Sequence, residues 1–223
     1  QGELDASLAN VARVVELWTP ERIATHAGRF GQIPRVTVMT AGAWGPCVAG
    51  RSDLALALAS EAVEIATRAE HPFSIAIAQQ IVGITHAIRR DPEATGRVAA
   101  ELILQGGMFP SYLITARTLA AWARAAGSHD PAALGEMLEA WGIWHAMGCG
   151  LAHTFMCGLV GDAHLALGRP GDALAVAREA LTWADSHDEQ LFAADLHRIA
   201  GEALIGLGDR AGGLAELERA LTL

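Results

Sequence analysis

The feature that most constrains this chain is a forty-residue repeat. Gly161-Asp162-Ala163-His164-Leu165-Ala166-Leu167-Gly168 is followed by Gly171-Asp172-Ala173-Leu174 and Arg178-Glu179-Ala180-Leu181. Forty residues on, Gly201-Glu202-Ala203-Leu204-Ile205-Gly206-Leu207-Gly208 leads to Gly213-Leu214 and Arg219-Ala220-Leu221. A fixed period of this length, with small residues at fixed offsets, predicts stacked helical hairpins. The small residues belong where two backbones approach, because a larger side chain would hold the helices apart.

The Gly161 repeat serves as a ruler for the remaining residues. Ala43, Gly83, Ala121, Gly161 and Gly201 take the first slot, at spacings of 40, 38, 40 and 40 residues. Two later slots hold Ala55 and Ala62, Thr95 and Leu102, Ala133 and Ala140, and Ala173 and Ala180. The punctuation agrees. Gly50-Arg51-Ser52-Asp53, Asp91-Pro92, Ser128-His129-Asp130-Pro131, Gly168-Arg169-Pro170-Gly171-Asp172 and Gly208-Asp209 read as turns within hairpins. Gly ends one helix in the left-handed conformation, Ser or Asp caps the next, and Pro fits its first turn. Glu70-His71-Pro72, Gly106-Gly107, Gly148 to Gly150 and Ser186-His187-Asp188 read as breaks between hairpins.

Ahead of the repeats, Leu4, Leu8, Val11, Val14, Val15 and Trp18 recur at helical steps and predict an amphipathic helix over residues 3–18. Thr19-Pro20 suits the start of a short helical turn through Thr25, and Gly28 to Pro34 reads as a loop. No stretch reads as a linker between domains. The expected fold is all-α: about five helical hairpins and an N-terminal helix, forming a single domain over residues 1–223.

Composition narrows the function classes. All sixteen basic residues are Arg, so a Walker-type phosphate loop and lysine-based covalent chemistry are both excluded. A net charge of −9 with no basic stripe argues against direct nucleic-acid binding. Cys47, Cys149 and Cys157 are too few and too irregular for a disulfide framework. There is no signal-peptide pattern and no apolar run long enough to span a bilayer, so a membrane is not expected and the cytoplasm is the expected compartment. The sequence opens inside an apparent helix without an initiator Met, which suggests a piece of a longer protein.

The spacing of the small slots resembles the tetratricopeptide repeat, stretched to about forty residues. The chain more specifically resembles the C-terminal helical-repeat region of bacterial multidomain signalling ATPases of the AAA/STAND type. In these, a class III adenylate/guanylate cyclase domain or a LuxR-type helix-turn-helix is attached to a nucleotide switch. The residues that carry this are Gly50-Arg51-Ser52-Asp53-Leu54-Ala55, His71-Pro72-Phe73-Ser74, Arg89-Arg90-Asp91-Pro92-Glu93, Gly168 to Leu174, and above all Ala194-Asp195-Leu196-His197-Arg198-Ile199-Ala200-Gly201-Glu202. In the last run Asp195 replaces the family's Glu. The resemblance implies a right-handed superhelix of hairpins, a TPR-like solenoid, and a role in a signalling or transcriptional regulator. Cyclase, ATPase and DNA-binding motifs are absent from these residues.

In such an array the first helices line a concave groove. The groove-facing positions include Trp44, Gln80, Trp122, Asp162, Asp195, Arg198 and Glu202, beside Thr37, Thr40, Ile77, Ile84, Thr115, Thr118, Phe155 and Gly158. Aromatic anchors with a few polar groups suit a protein or peptide partner, other domains of the same chain, or a small-molecule effector. The alternative for Trp44 and Trp122 is inter-helix core. His145, Cys149, His153 and Cys157 fall at four-residue steps, but the glycines between them break the helix, and packing is the expected role rather than metal binding. Asp195 and His197 face apart on a helix, which argues against an acid/base pair with Glu202. Cys47 is expected to be buried. No catalytic residue, metal site or cofactor is expected. A structural oligomerisation arm is the main alternative function, and an enzyme with a site between hairpins is a third.

Overall fold

The computed structural model describes residues 4–17, 31–106, 109–147 and 152–223. Among them are eleven helices and no strand. They are α1 (Leu4–Leu17), α2 (Pro34–Val48), α3 (Ser52–Arg68), α4 (Pro72–Ile88), α5 (Pro92–Gly106), α6 (Pro110–Ser128), α7 (Pro131–Ala146), α8 (His153–Ala166), α9 (Pro170–His187), α10 (Ala193–Gly206) and α11 (Arg210–Thr222). After α1 they pair as five hairpins: α2/α3, α4/α5, α6/α7, α8/α9 and α10/α11. Trp18, Thr19-Pro20, Thr25, Gly28, Gly107, Gly148 to Gly150 and Cys149 lie outside the described residues.

Proline sets where most of these helices begin. Pro34, Pro72, Pro92, Pro110, Pro131 and Pro170 each stand at the first helical position, where the missing N–H would have no intrahelical partner anyway. Pro34 therefore opens α2 instead of belonging to the preceding loop. Pro46 is the exception, inside α2 and buried.

The helices end by two routes. Gly50, Gly168 and Gly208 take positive φ, as expected of a Gly after a helix. Arg90, His129, Glu70 and Asp188 take the same conformation with ordinary side chains. Asp91, Asp130 and Asp209 accept backbone N–H bonds from Ala94, Ala132 and Gly212 at 2.9, 3.0 and 2.9 Å, as caps. Ser52 and Asp172 do not cap: α3 and α9 start from Arg51 and Arg169 without a side-chain bond. There the backbone closes the turn itself, Arg51 N–H bonding Pro46 O and Arg169 N–H bonding His164 O, each at 2.8 Å. The break foreseen at Ser186 and His187 comes later, because α9 continues through both residues.

The chain divides into two compact units, Gln1–Leu119 and Ala120–Leu223, the division falling inside α6. In the first, α2 packs on α1, α3 and α4, and α4 packs on α3 and α5. In the second, α8 packs on α7, α9 and α10, while α10 packs on α9 and α11. Within their units, α2 and α8 thus each touch their own partner and the next first helix. That is the packing of stacked hairpins.

The repeat slots sit at these contacts. Ala43, Ala55, Ala62, Thr95, Leu102, Ala121, Ala133, Ala140, Ala173 and Ala180 are fully buried. A Cβ on Gly83 would lie 3.0 Å from Leu119 Cδ1, and one on Gly161 would lie 2.9 Å from Ile199 Cγ2. Both glycines let successive first helices approach. Polar ties join the starts of successive hairpins as well. Ile33 N–H donates to the buried Ser74 Oγ at 2.9 Å. Thr154 donates through both N–H and Oγ1 to Glu189 Oε1, at 2.9 and 2.5 Å.

Candidate interaction surface

Four of the residues expected in the groove meet around one guanidinium. Arg198, on α10, donates from Nη2 to Asp162 Oδ1 of α8 at 2.8 Å. Its Nε reaches Asp195 Oδ1 and its Nη1 reaches Glu202 Oε1, each at 2.7 Å. Asp195 and Glu202 lie three and four residues from Arg198, on the same helical face. Asp162 directly follows the Gly161 slot and Glu202 directly follows the Gly201 slot. The forty-residue repeat therefore places both carboxylates at one register. Gly158 leaves room for the arrangement, since a Cβ there would come within 3.2 Å of Asp195 Oδ2. Arg198 and Asp162 are largely shielded, whereas Asp195 and Glu202 remain open to solvent. These four side chains, one cation among three carboxylates, together carry net negative charge across two first helices.

His197 takes a separate role. Its Nδ1 meets Glu216 Oε2 of α11 at 2.6 Å, within its own hairpin. Asp195 and His197 are not paired with each other, in line with their spacing.

The other expected positions fall in the first unit or in the core. Gln80 is half-buried and donates from Nε2 to Thr115 Oγ1 at 2.9 Å, joining α4 to α6. Trp44 is half-buried on α2. Thr40, Thr115 and Thr118 are buried, and each returns its hydroxyl to a backbone carbonyl three or four residues earlier. Trp122 is 2% exposed, so its ring fills core.

His145, His153 and Cys157, expected from their spacing to pack rather than to bind metal, lie beside one another and against two tryptophans. His153 stacks on Trp183 at 4.1 Å between ring centroids, and Trp183 stacks on His187 at 4.1 Å. Trp141 meets His145 edge-on at 4.4 Å and His153 at 5.0 Å. The usable signal was Trp141/His145 and Trp183/His187, pairs four residues apart that share a helix face. Cys157 Sγ lies 3.4 Å from His153 Nε2. Among the described residues no group of three or more His, Cys, Asp or Glu side chains could hold a metal ion. Burial pushes the Cys157 thiol up to about 12, with Glu179 and Glu189 adding to it. Cys47 is also buried and its thiol raised by burial, against a contact with Thr85 Oγ1. Neither thiol is poised as a nucleophile.

The buried imidazoles predict acid sensitivity. Burial lowers His86, His153 and His164 below the ordinary histidine range, and His145 adds to the effect at His153. A depressed folded-state value means that the unfolded chain binds more protons as pH falls through about 6.5. Stability is then complete above that range and is lost below it. Calorimetry should show the melting temperature falling between about pH 7.5 and 5.5, with a shallower slope for His153→Phe, which keeps a ring against Trp183. A flat profile over that interval would refute the assignment.

No protein-family model matches the chain, and no curated protein matches it. Solved structures do. A crystal structure of a substituted form of nearly identical TPR-like repeats of a Podosopora anserina kinesin light chain superposes with a TM-score of 0.51. The match is 14% identical and covers 84% of this chain and 93% of that one. The fold is tetratricopeptide-like. A second structure of the same repeats matches at 14% identity and a TM-score of 0.49, covering 84% of this chain and 94% of that one. The TPR-like hairpins here run to about forty residues because their helices are long, α6 alone holding 19 residues. No described helix is long and apolar enough to cross a membrane.

Proposed function

We propose that this chain is a non-catalytic helical-repeat domain, spanning residues 1–223, that docks a protein or peptide partner on the inner face of its first helices. In this reading it serves as the cytoplasmic sensor or docking arm of a bacterial signalling or transcriptional regulator, as its resemblance to the repeat regions of multidomain ATPases implies. The observation that supports docking is the convergence of Asp162, Asp195, Arg198 and Glu202 from two successive first helices. Arg198 orders the carboxylates, and two of them are exposed enough to meet a partner's basic side chains. A partner that bridges α8 and α10 favours one spacing of those helices over others. Binding then shifts the population of hairpin arrangements, and the attached domains read that shift.

The experiment is selection of random peptides on the purified chain, followed by titration against Asp195→Asn and Glu202→Gln. The selected peptides should be rich in Arg and Lys, should weaken at high salt, and should lose about tenfold in affinity to the double variant. Each carboxylate is partly exposed, so the substitutions should cost about 1 kcal/mol of stability or less. Selected peptides without basic residues, or with equal affinity for the double variant, would refute the assignment.

A further inference from the structure

Three consecutive residues fasten the start of α8. The His153 ring stacks on Trp183 of α9 at 4.1 Å between centroids. Thr154 donates through N–H and Oγ1 to Glu189, in the connection between α9 and α10. Phe155 meets Phe192, at the end of that connection, with centroids 5.1 Å apart. The backbone on both sides of the Thr154–Glu189 tie is left-handed at residues that carry a Cβ, with φ 58° at Ala152 and 55° at Asp188. Such a conformation costs free energy and persists only where neighbouring contacts hold it. The His153 side chain is 8% exposed. Its Nδ1 is buried without a hydrogen-bond partner among the described residues, and its Nε2 faces the Cys157 sulfur at 3.4 Å. A neutral ring leaves one nitrogen unpartnered, but an imidazolium must place two N–H donors. Among the described residues neither donor would find an oxygen acceptor.

We propose that the first turn of α8 is an acid-released latch: proton uptake by His153 drives its ring off Trp183 and frees the turn from α9 and from the α9–α10 connection. The groups around the imidazole set the sign. His145 of α7 lies with its ring centroid 5.3 Å away. Burial lowers His153 below the ordinary histidine range, and His145 and, more weakly, His187 of α9 act in the same direction, whereas Glu189 and Glu179 oppose them. A folded-state value below that of the open turn means that closure is complete above about pH 6.5 and weakens as pH falls through it. Because each hairpin is held mainly by its neighbours, one turn can open while the rest stays folded. The latch does not depend on partner docking at the carboxylates around Arg198.

The test labels the 223-residue chain with dithiodipyridine, a disulfide that reacts with thiols in weak acid, and reads each cysteine by peptide mapping. Cys157 is buried one turn after His153. It is expected to react about threefold to tenfold faster at about pH 5.5 than at about pH 7.5, after correction by an unstructured cysteine peptide. Cys47, buried in the first unit, should not follow, and the far-ultraviolet circular dichroism should stay constant. His153→Phe should abolish the rise. His145→Gln should shrink it, because it removes a neighbour that disfavours the charged ring. His145 is exposed, so that variant decides the matter if His153→Phe does not fold. A Cys157 rate that stays flat, that rises equally in His145→Gln, or that rises only together with Cys47 would overturn the proposal.

Discussion

Replacing Gly201 by valine is expected to unfold the last hairpin. A Cβ at this position would stand 2.8 Å from Leu217 Cγ and 2.9 Å from the carbonyl oxygen of Gly213. The leucine could rotate, but the carbonyl belongs to the backbone of α11 and cannot move unless the helix does. Gly213 meets the same restriction from the other side, since a Cβ there would lie 2.7 Å from Gly201 O. The two glycines face each other across the closest approach of α10 and α11. Overpacking of this kind costs about 3 kcal/mol, and in a chain of this size that lowers the melting temperature by roughly 10 °C. Because each hairpin is held mainly by its neighbours, the damage should be local. Hydrogen exchange should show protection lost in α11 and the second half of α10, with α2 to α5 retained. Gly135→Ala supplies the contrast, since no atom lies within 4 Å of the added methyl. It should stabilise α7 by about 0.5–1 kcal/mol. Equal behaviour of the two variants would remove the close-contact explanation.

The repeat was legible because close approach leaves a mark in sequence. Gly161 and Gly201 announce helix contacts by being small, and Pro72, Pro131 and Pro170 announce helix starts. The left-handed turns at Arg90 and His129 left no such mark. Their conformation is imposed by the helices on either side, which tolerate side chains that a local rule would exclude. The same holds for His71, whose Nδ1 accepts the Ser74 N–H at 3.2 Å in place of an ordinary capping side chain. Among the site residues, helical spacing predicted that Asp195, Arg198 and Glu202 share a face. The bond from Arg198 to Asp162 was accessible only through the repeat register, thirty-six residues apart. His153 stacks on Trp183 and meets Trp141 at a tilt, a contact that depends on three helices meeting, so spacing could point to packing but not to which rings would meet.

Truncation of Trp122 to alanine is the second large effect, and it separates the two roles considered for this ring. As a groove anchor, Trp122 would lose partner binding while the protein remained stable. As core, it should cost about 3–5 kcal/mol when removed, lowering the melting temperature by roughly 10 °C or more. Its 2% exposure favours the core. The indole Nε1 is buried without a hydrogen-bond partner among the described residues, so the ring acts through its apolar area. Trp122→Phe should accordingly recover most of the loss, remaining within about 1.5 kcal/mol of the parent. Trp44→Ala should cost less than Trp122→Ala, because the Trp44 ring is only half-buried and loses less burial on truncation. Thermal melts of the three variants distinguish the cases. An unchanged melting temperature for Trp122→Ala would return that ring to the surface. A phenylalanine variant as unstable as the alanine one would instead mean that the indole nitrogen holds the site. Recovery by phenylalanine alone would show that volume, and not polarity, sets the requirement at this position.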